Sequence, residues 1–162
     1  MSFAPNEGKP FTVQEMFRLN REREDFRKEL MDHWNKTIRN SGTGRPVDAI
    51  ICPVAPTLAP AHNATRWWGY TSYWNLADYP AVVFPANKFS KNERYSTVTP
   101  TNKLHHCNGS SNGTRGGIEK FIQSQWNEDL YDGFPVCLQL VGRRLNEEKL
   151  LAMLNVIEAA LK

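Results

Sequence analysis

The sequence predicts an α/β fold in which helices cover a partial mixed β-sheet. Two observations lead to this prediction. Short apolar runs recur at residues 47–54, 79–86 and 136–141, and long segments with apolar residues every three or four positions stand before and after them. Helices that alternate with buried strands are typical of layered α/β folds. Three strands make a thin sheet, so we expect strands from outside this chain to complete it.

The length predicts one globular domain over residues 1–162. The chain has 20 Lys and Arg against 17 Asp and Glu, and the two signs are interspersed, which disfavours a nucleic-acid-binding stripe. No apolar stretch approaches the roughly 20 residues of a membrane span, and the N-terminus does not resemble a secretory signal. We therefore expect a cytoplasmic protein that binds neither nucleic acid nor membrane.

The first element is a long amphipathic helix over 12–39. Thr12 and Glu15 form a capping box, and apolar residues from Val13 to Ile38 follow mostly at spacings of three and four. The glycines and proline of "NSGTGRP" end the helix.

Residues 47–86 are predicted to hold two strands and a pocket loop. The runs 47–54 and 79–86 are short, apolar and ended by prolines, which indicates strands buried on both faces. The intervening loop is rich in Pro, Ala and aromatic residues and leads into a short helix at about 72–77. Residues 88–117 are rich in Ser, Thr, Asn, Lys, His and Gly. This composition predicts a flexible insertion, either a genuine one or a retained intron.

Residues 118–162 are predicted to run helix, strand, helix. The strand over 136–141 is apolar on both faces and interrupted only by Gln139. Asn146 is a candidate N-cap for the last helix, which carries Glu147 and Glu148 in its first turn and an apolar stripe from Leu150 onward.

Three stretches resemble, in this order, the C-terminal portion of amidase signature enzymes, in particular the fungal acetamidase-like members. They are "DAIICPVAPTLAPAH", "YTSYWNLADYPAVVFPANK" and "YDGFPVCLQLVGRRLNEEKLLAMLNVIE". The resemblance covers most of the chain from Val13 onward, apart from about 96–117. It implies the C-terminal part of the amidase signature fold and a hydrolase that cleaves carboxylic amides to acid plus ammonia or amine. In that family a serine attacks the amide, activated through a second serine by a lysine.

The resemblance places this Ser-Ser-Lys triad upstream of the matched region, so we predict no catalytic residue in this chain and expect it to be inactive alone. The loop before Asn75 would face the active site. The candidate substrate-binding residues are therefore His62, Trp68, Tyr70, Thr71 and Asn75. Two alternatives stay open. The aromatic side chains of this region would only pack in the core, and Asn75 would form hydrogen bonds to the loop backbone rather than to substrate.

Three other groups are weaker candidates. Ser110 and Ser111 lie in a Gly/Ser-rich segment, but after the first strand, where the family order does not place the nucleophile. His105, His106 and Cys107 have no second ligand cluster, so we predict neither metal nor cofactor. Arg143 and Arg144 could bind a carboxylate. At a strand-to-helix corner, however, exposure to solvent or pairing with Glu147 and Glu148 is favoured.

A second hypothesis is a non-catalytic interaction or oligomerisation module derived from an amidase. Its exposed strand edges and aromatic residues would bind a partner, with a complementary amidase chain and a homo-oligomer both open. A small amide is a ligand only if the N-terminal catalytic part is present.

Overall fold

The computed structural model describes residues 9–93 and 117–161. Its helices and strands alternate along the chain as the sequence predicts. In order they are α1 Val13–Lys36, β1 Ala49–Pro53, α2 Gly69–Ala77, β2 Ala81–Lys88, α3 Gly117–Ser124, α4 Glu128–Tyr131, β3 Pro135–Gly142 and α5 Glu147–Ala160, with a 3-10 turn at Thr37–Arg39. Most of the predicted insertion and the first eight residues lie outside the described part of the chain.

The three strands form one antiparallel sheet in the order β1-β3-β2. Backbone hydrogen bonds at both ends of the β2-β3 pair define its register: the Gly142 N–H donates to the Pro80 carbonyl over 2.9 Å, and the Phe89 N–H donates to the Phe134 carbonyl over 2.8 Å. The α/β class with a partial sheet is thereby confirmed.

Burial differs among the strands. The second half of β3 is buried, and Leu140 and Val141 are at most 2% exposed. In contrast, Ile51 on β1 and Val83 on β2 are both 52% exposed. The prediction that the first two strands are buried on both faces is therefore wrong for this chain, because side chains on one face of each strand are exposed while those on the other face are more buried.

The capping box of α1 is confirmed. The Glu15 N–H donates to Thr12 Oγ1 over 3.2 Å, and the Thr12 N–H donates to Glu15 Oε2 over 2.8 Å. Glu15 Oε2 accepts from both the N–H and the hydroxyl of Thr12, and these two hydrogen bonds hold the pKa of the Glu15 carboxyl below its usual value. Only Trp34 on this helix is buried, and the predicted apolar positions Val13 and Phe17 are 70% exposed.

Three local details differ from the sequence predictions. β2 continues through Pro85, which an edge strand tolerates because the missing N–H can face away from the ladder. The Asn146 side chain does not cap α5, and its Nδ2 donates to the Arg144 carbonyl over 2.9 Å instead. The short helix α4 was not predicted, although Asn127 Oδ1 caps it by accepting from the backbone of Asp129 and Leu130.

Residue contacts divide the chain into two compact units. Unit 1 comprises 1–52, 71–82 and 140–162, and unit 2 comprises 53–70 and 83–139. The core of unit 1 includes Trp34, Ala77 and Leu150, whereas Tyr131 and Phe84 belong to the core of unit 2. Among the described helices, none has the length and apolarity needed to cross a membrane. The single-domain organisation and the cytoplasmic location stay predictions.

Candidate functional site

An apolar groove of about 660 Å³ lies in unit 2. Its lining is almost entirely aliphatic, proline or aromatic. The lining residues are Pro53, Val54, Ala55, Pro56, Thr57, Leu58, Ala59, Pro60, Val83, Phe89, Trp126, Pro135, Val136, Cys137 and Leu138. Concave apolar surfaces of this size are typical of small-molecule sites.

Aromatic packing shapes one wall of the apolar groove. The ring of Trp126 meets Phe89 edge to face at 5.3 Å between centroids, and it also contacts the fully buried Tyr131 at 5.3 Å. Tyr131 in turn packs against Phe134 at 6.0 Å. This chain of rings holds Trp126 at the groove, although its side chain is 48% exposed.

Gln139 joins two backbone segments of unit 2. It is 1% exposed, and its Nε2 donates to the Pro53 carbonyl over 2.7 Å and to the Tyr70 carbonyl over 3.2 Å. Pro53 lines the groove, and Tyr70 lies in the first turn of α2. In the sequence, Gln139 only interrupts an apolar strand, yet a single amide in such a run is the signal that indicates a buried polar link.

Two further contacts fasten the loop between β1 and α2 to α3 and the residues after it. Gln125 Nε2 donates to the Ala64 carbonyl over 2.7 Å. The Arg66 guanidinium lies over the Phe121 ring at 5.4 Å from its centroid. The loop that provides half of the groove is therefore anchored by side chains as well as by its prolines.

The five predicted substrate-binding residues are distributed over both units. His62 is exposed in a turn, and Trp68 and Tyr70 are 42% and 39% exposed at the start of α2 in unit 2. Thr71 is half-buried and Asn75 exposed, both on the part of α2 that belongs to unit 1. None of the five lines the apolar groove, so their role in substrate binding stays a prediction.

The neighbouring aromatic residues of unit 1 pack on one another. Tyr73 contacts Phe26 edge to face at 5.5 Å and Trp74 at 4.8 Å, while Trp74 stacks on Tyr79 at 6.2 Å. For Tyr73 and Trp74 these contacts favour the packing alternative. Asn75 lines a polar cleft of about 480 Å³ with Asp78 and Arg144, and its carbonyl accepts from the Asp78 N–H over 3.2 Å.

The apolar groove is suited to binding rather than to bond cleavage. Thr57 and Cys137 are its lining residues with a hydroxyl or thiol, and the Thr57 hydroxyl donates to the Leu58 carbonyl over 2.9 Å. Neither has the adjacent base that an activated nucleophile needs in the described residues. The candidates Ser110, Ser111, His105, His106 and Cys107 lie outside the described residues.

The arginine pair after β3 has partners other than those expected. Arg144 Nε lies 2.6 Å from Asp78 Oδ2, and Arg143 Nη2 donates to Asn35 Oδ1 over 2.7 Å. Both contacts lie within unit 1. The predicted partners Glu147 and Glu148 form no ion pair with either arginine in the described part of the chain.

Known proteins match most of the length of this chain. The sequence model of the family Amidase matches residues 9–151. The chain is 32% identical to Amidase FG08078 of Gibberella zeae over 95% of its own length, and 31% identical to the Acetamidase of Aspergillus oryzae over 82%. A solved structure of a fatty acid amide hydrolase superposes with a TM-score of 0.74 at 26% identity and covers 94% of this chain.

The matched portion of each relative is small. The chain spans 27% of the Gibberella zeae amidase, 22% of the Aspergillus oryzae acetamidase and 24% of the fatty acid amide hydrolase chain. It therefore corresponds to about a quarter of these proteins. With a family match over most of its residues, the chain belongs to the amidase family.

Proposed function

We propose that this chain is the C-terminal segment of an amide hydrolase and forms one wall of the pocket for the acyl group. The complete enzyme would cleave carboxylic amides to acid plus ammonia or amine by a Ser-Ser-Lys mechanism. The two serines and the lysine would come from a part of the protein outside these residues, so the chain alone would be inactive.

The observation that carries the proposal is the apolar groove in a chain of this family. An acyl chain gains about 0.8 kcal/mol for each methylene group that leaves water. The aliphatic and proline lining of the groove provides such an environment, and the rings of Phe89 and Trp126 add flat apolar surfaces. The names of the relatives, an acetamidase and a fatty acid amide hydrolase, indicate amides with acyl groups of very different length.

A chimera tests the proposal. This chain replaces the matched segment of the Aspergillus oryzae acetamidase, and the chimera, the parent enzyme and the isolated chain are assayed for ammonia release from acetamide. All three are also treated with a fluorophosphonate probe, which labels activated serines. We expect the folded chimera to release ammonia and to be labelled on a serine of the acetamidase part, and the isolated chain to show neither property.

Two results would contradict the proposal. Labelling of the isolated chain would place an activated serine within these residues. A chimera that melts cooperatively, as the parent does, but neither releases ammonia nor reacts with the probe would favour the non-catalytic interaction module. That module has its own support in exposed apolar side chains such as Ile51, Phe17 and Val156, which are 52%, 70% and 70% exposed.

A further inference from the structure

A second concave feature, here called the basic cleft, lies in unit 1 between α1 and the turns that follow α2 and β3. Its volume is about 290 Å³. Four cationic residues line it, namely Arg27, Lys28, Arg143 and Arg144, whereas Glu24 is the single acidic residue of the lining. The proposed acyl groove shares none of these residues, because it belongs to unit 2.

Two of the four cations are neutralised and held in place. Arg27 has a side chain only 18% exposed, and it donates from Nε to the Leu76 carbonyl and from Nη1 to Glu24 Oε1, each over 2.9 Å. Arg144 Nε contacts Asp78 Oδ2 at 2.6 Å. A guanidinium carries five N–H donors, so both groups keep donors beyond those used in these contacts.

The other two cations have no carboxylate partner in residues 9–93 and 117–161. Arg143 is half-buried, and its partner there is the neutral amide of Asn35. Lys28 is exposed and forms no ion pair with a described residue. The lining thus carries two uncompensated positive charges beside two paired ones, and the partial burial of Arg143 makes its charge more costly than it is in open solvent.

Tyr79 adds a neutral donor to the same cleft. Burial raises the pKa of its hydroxyl and the charge of the nearby Arg143 opposes that rise, so the phenol keeps its proton at neutral pH. The basic cleft therefore combines guanidinium, ammonium and hydroxyl donors around one small volume.

We propose that the basic cleft binds an oxyanion, either a phosphate group or a carboxylate, with Arg143 as its main contact, Lys28 as a supporting charge and the free N–H groups of Arg144 as supporting donors. A guanidinium matches the paired oxygens of both anions and can donate to them in parallel. The bound anion neutralises the charge that Arg143 and Lys28 leave uncompensated.

The test uses the full chain at low ionic strength and pH 7, titrated with inorganic phosphate and, separately, with acetate. Isothermal calorimetry and the NMR signals of the arginine Nε–H groups are the readouts, with sodium chloride at matched ionic strength as the blank. We expect saturable binding of at least one anion. Saturation by phosphate alone indicates a phosphate-bearing ligand, and saturation by acetate alone indicates a carboxylate.

Two cleft variants and one control make the test specific. Arg143→Gln removes a charge-assisted donor and should weaken binding by about tenfold or more. Lys28→Gln changes an exposed residue and should weaken it by about threefold without loss of folding. Arg18→Gln removes the same charge from an exposed, ion-paired position of α1 and should leave the affinity unchanged. Absence of saturation with either anion, or equal weakening in the Lys28 and Arg18 variants, would overturn the proposal.

Discussion

The side-chain amide of Gln139 donates to the carbonyl oxygen of Pro53 across 86 positions of sequence, with 2.7 Å between nitrogen and oxygen. The same nitrogen reaches the Tyr70 carbonyl at 3.2 Å, so one buried side chain links the end of β1 to the first turn of α2. The segment between these two carbonyls includes one side of the apolar groove. Gln139 therefore acts on the groove by positioning its loop.

Replacement of Gln139 by leucine should destabilise the fold. Leucine fills a similar volume but cannot donate, so the Pro53 and Tyr70 carbonyls lose this donor, and we expect the free energy of unfolding to fall by about 1–3 kcal/mol. Urea unfolding followed by fluorescence measures this value. The exposed Gln14→Leu on α1 is the control and should change it by less than about 0.5 kcal/mol. Equal effects of the two variants would contradict the assigned role of Gln139.

A side chain at position 142 would crowd Leu150 at the corner between β3 and α5. A Cβ added to Gly142 would lie 3.0 Å from Cδ1 and 3.5 Å from Cβ of Leu150, which is itself 3% exposed and has little room to move. We expect Gly142→Ala to lower the free energy of unfolding by about 1–2 kcal/mol. Gly42→Ala meets nothing within 4 Å and should leave it unchanged or raise it by up to about 1 kcal/mol. Thermal unfolding of both variants measures these changes. If Gly142→Ala leaves the free energy of unfolding unchanged, the corner can relax to admit the methyl group.

The ion pair between Lys149 and Asp48 should make part of the stability depend on pH. The hydrogen bond and charge of Lys149, 2.5 Å away, hold the pKa of the Asp48 carboxyl below its usual value, with a smaller contribution from Arg45. The folded protein then binds this proton more weakly than the unfolded chain does. The stabilisation is fully present above the unfolded pKa of about 4 and is lost as the pH falls through the lower folded value.

A ¹³C NMR titration of the aspartate carboxyl groups checks this expectation. Lys149→Met should raise the pKa of Asp48 towards its ordinary value and reduce the loss of stability on the acid side. Lys36→Met, which removes an exposed lysine from the last turn of α1, should leave the pKa of Asp48 unchanged. If the pKa of Asp48 shifts equally in both variants, the ion pair does not set it.

The acyl-group assignment of the groove can be tested through Val83, which lines the groove and is 52% exposed. In the acetamidase chimera, Val83→Trp should fill part of the groove and raise the KM for hexanamide by about tenfold, with little change for acetamide. Val156→Trp, on the 70% exposed face of α5, introduces the same side chain outside the groove and should affect neither substrate. Equal losses for both amides in the Val83 variant would argue against an acyl site.

Local sequence patterns were sufficient to predict most of the helices and strands. The capping box at Thr12 and Glu15 and each of the three apolar runs span only a few residues, and the consequence of each depends on neighbouring residues alone. The structure places α1, the three strands and α5 within two residues of these signals at most ends, with the 3-10 turn completing the predicted first helix. The family resemblance rested on the same stretches and is confirmed.

The burial of strand side chains and the partners of the charged side chains could be learned only from the tertiary structure. The apolar runs at β1 and β2 indicate buried strands, but Ile51 and Val83 are half exposed because each lies on the uncovered face of its strand. The partners of Arg144 and Arg143 are Asp78 and Asn35, which lie 66 and 108 positions away, rather than the glutamates next in sequence. Such partners follow from the path of the chain through space, which no local pattern encodes.

The sequence by itself therefore determined the family, the α/β class and the order of helices and strands, because helix caps, apolar periodicity and family motifs act over short stretches of chain. Only the tertiary structure decided which face of each strand is covered, that Gln139 holds the groove loop, and that four cations share one cleft. These features are sums of contacts between residues distant in sequence, and their energies depend on distance and burial, which are properties of the folded chain.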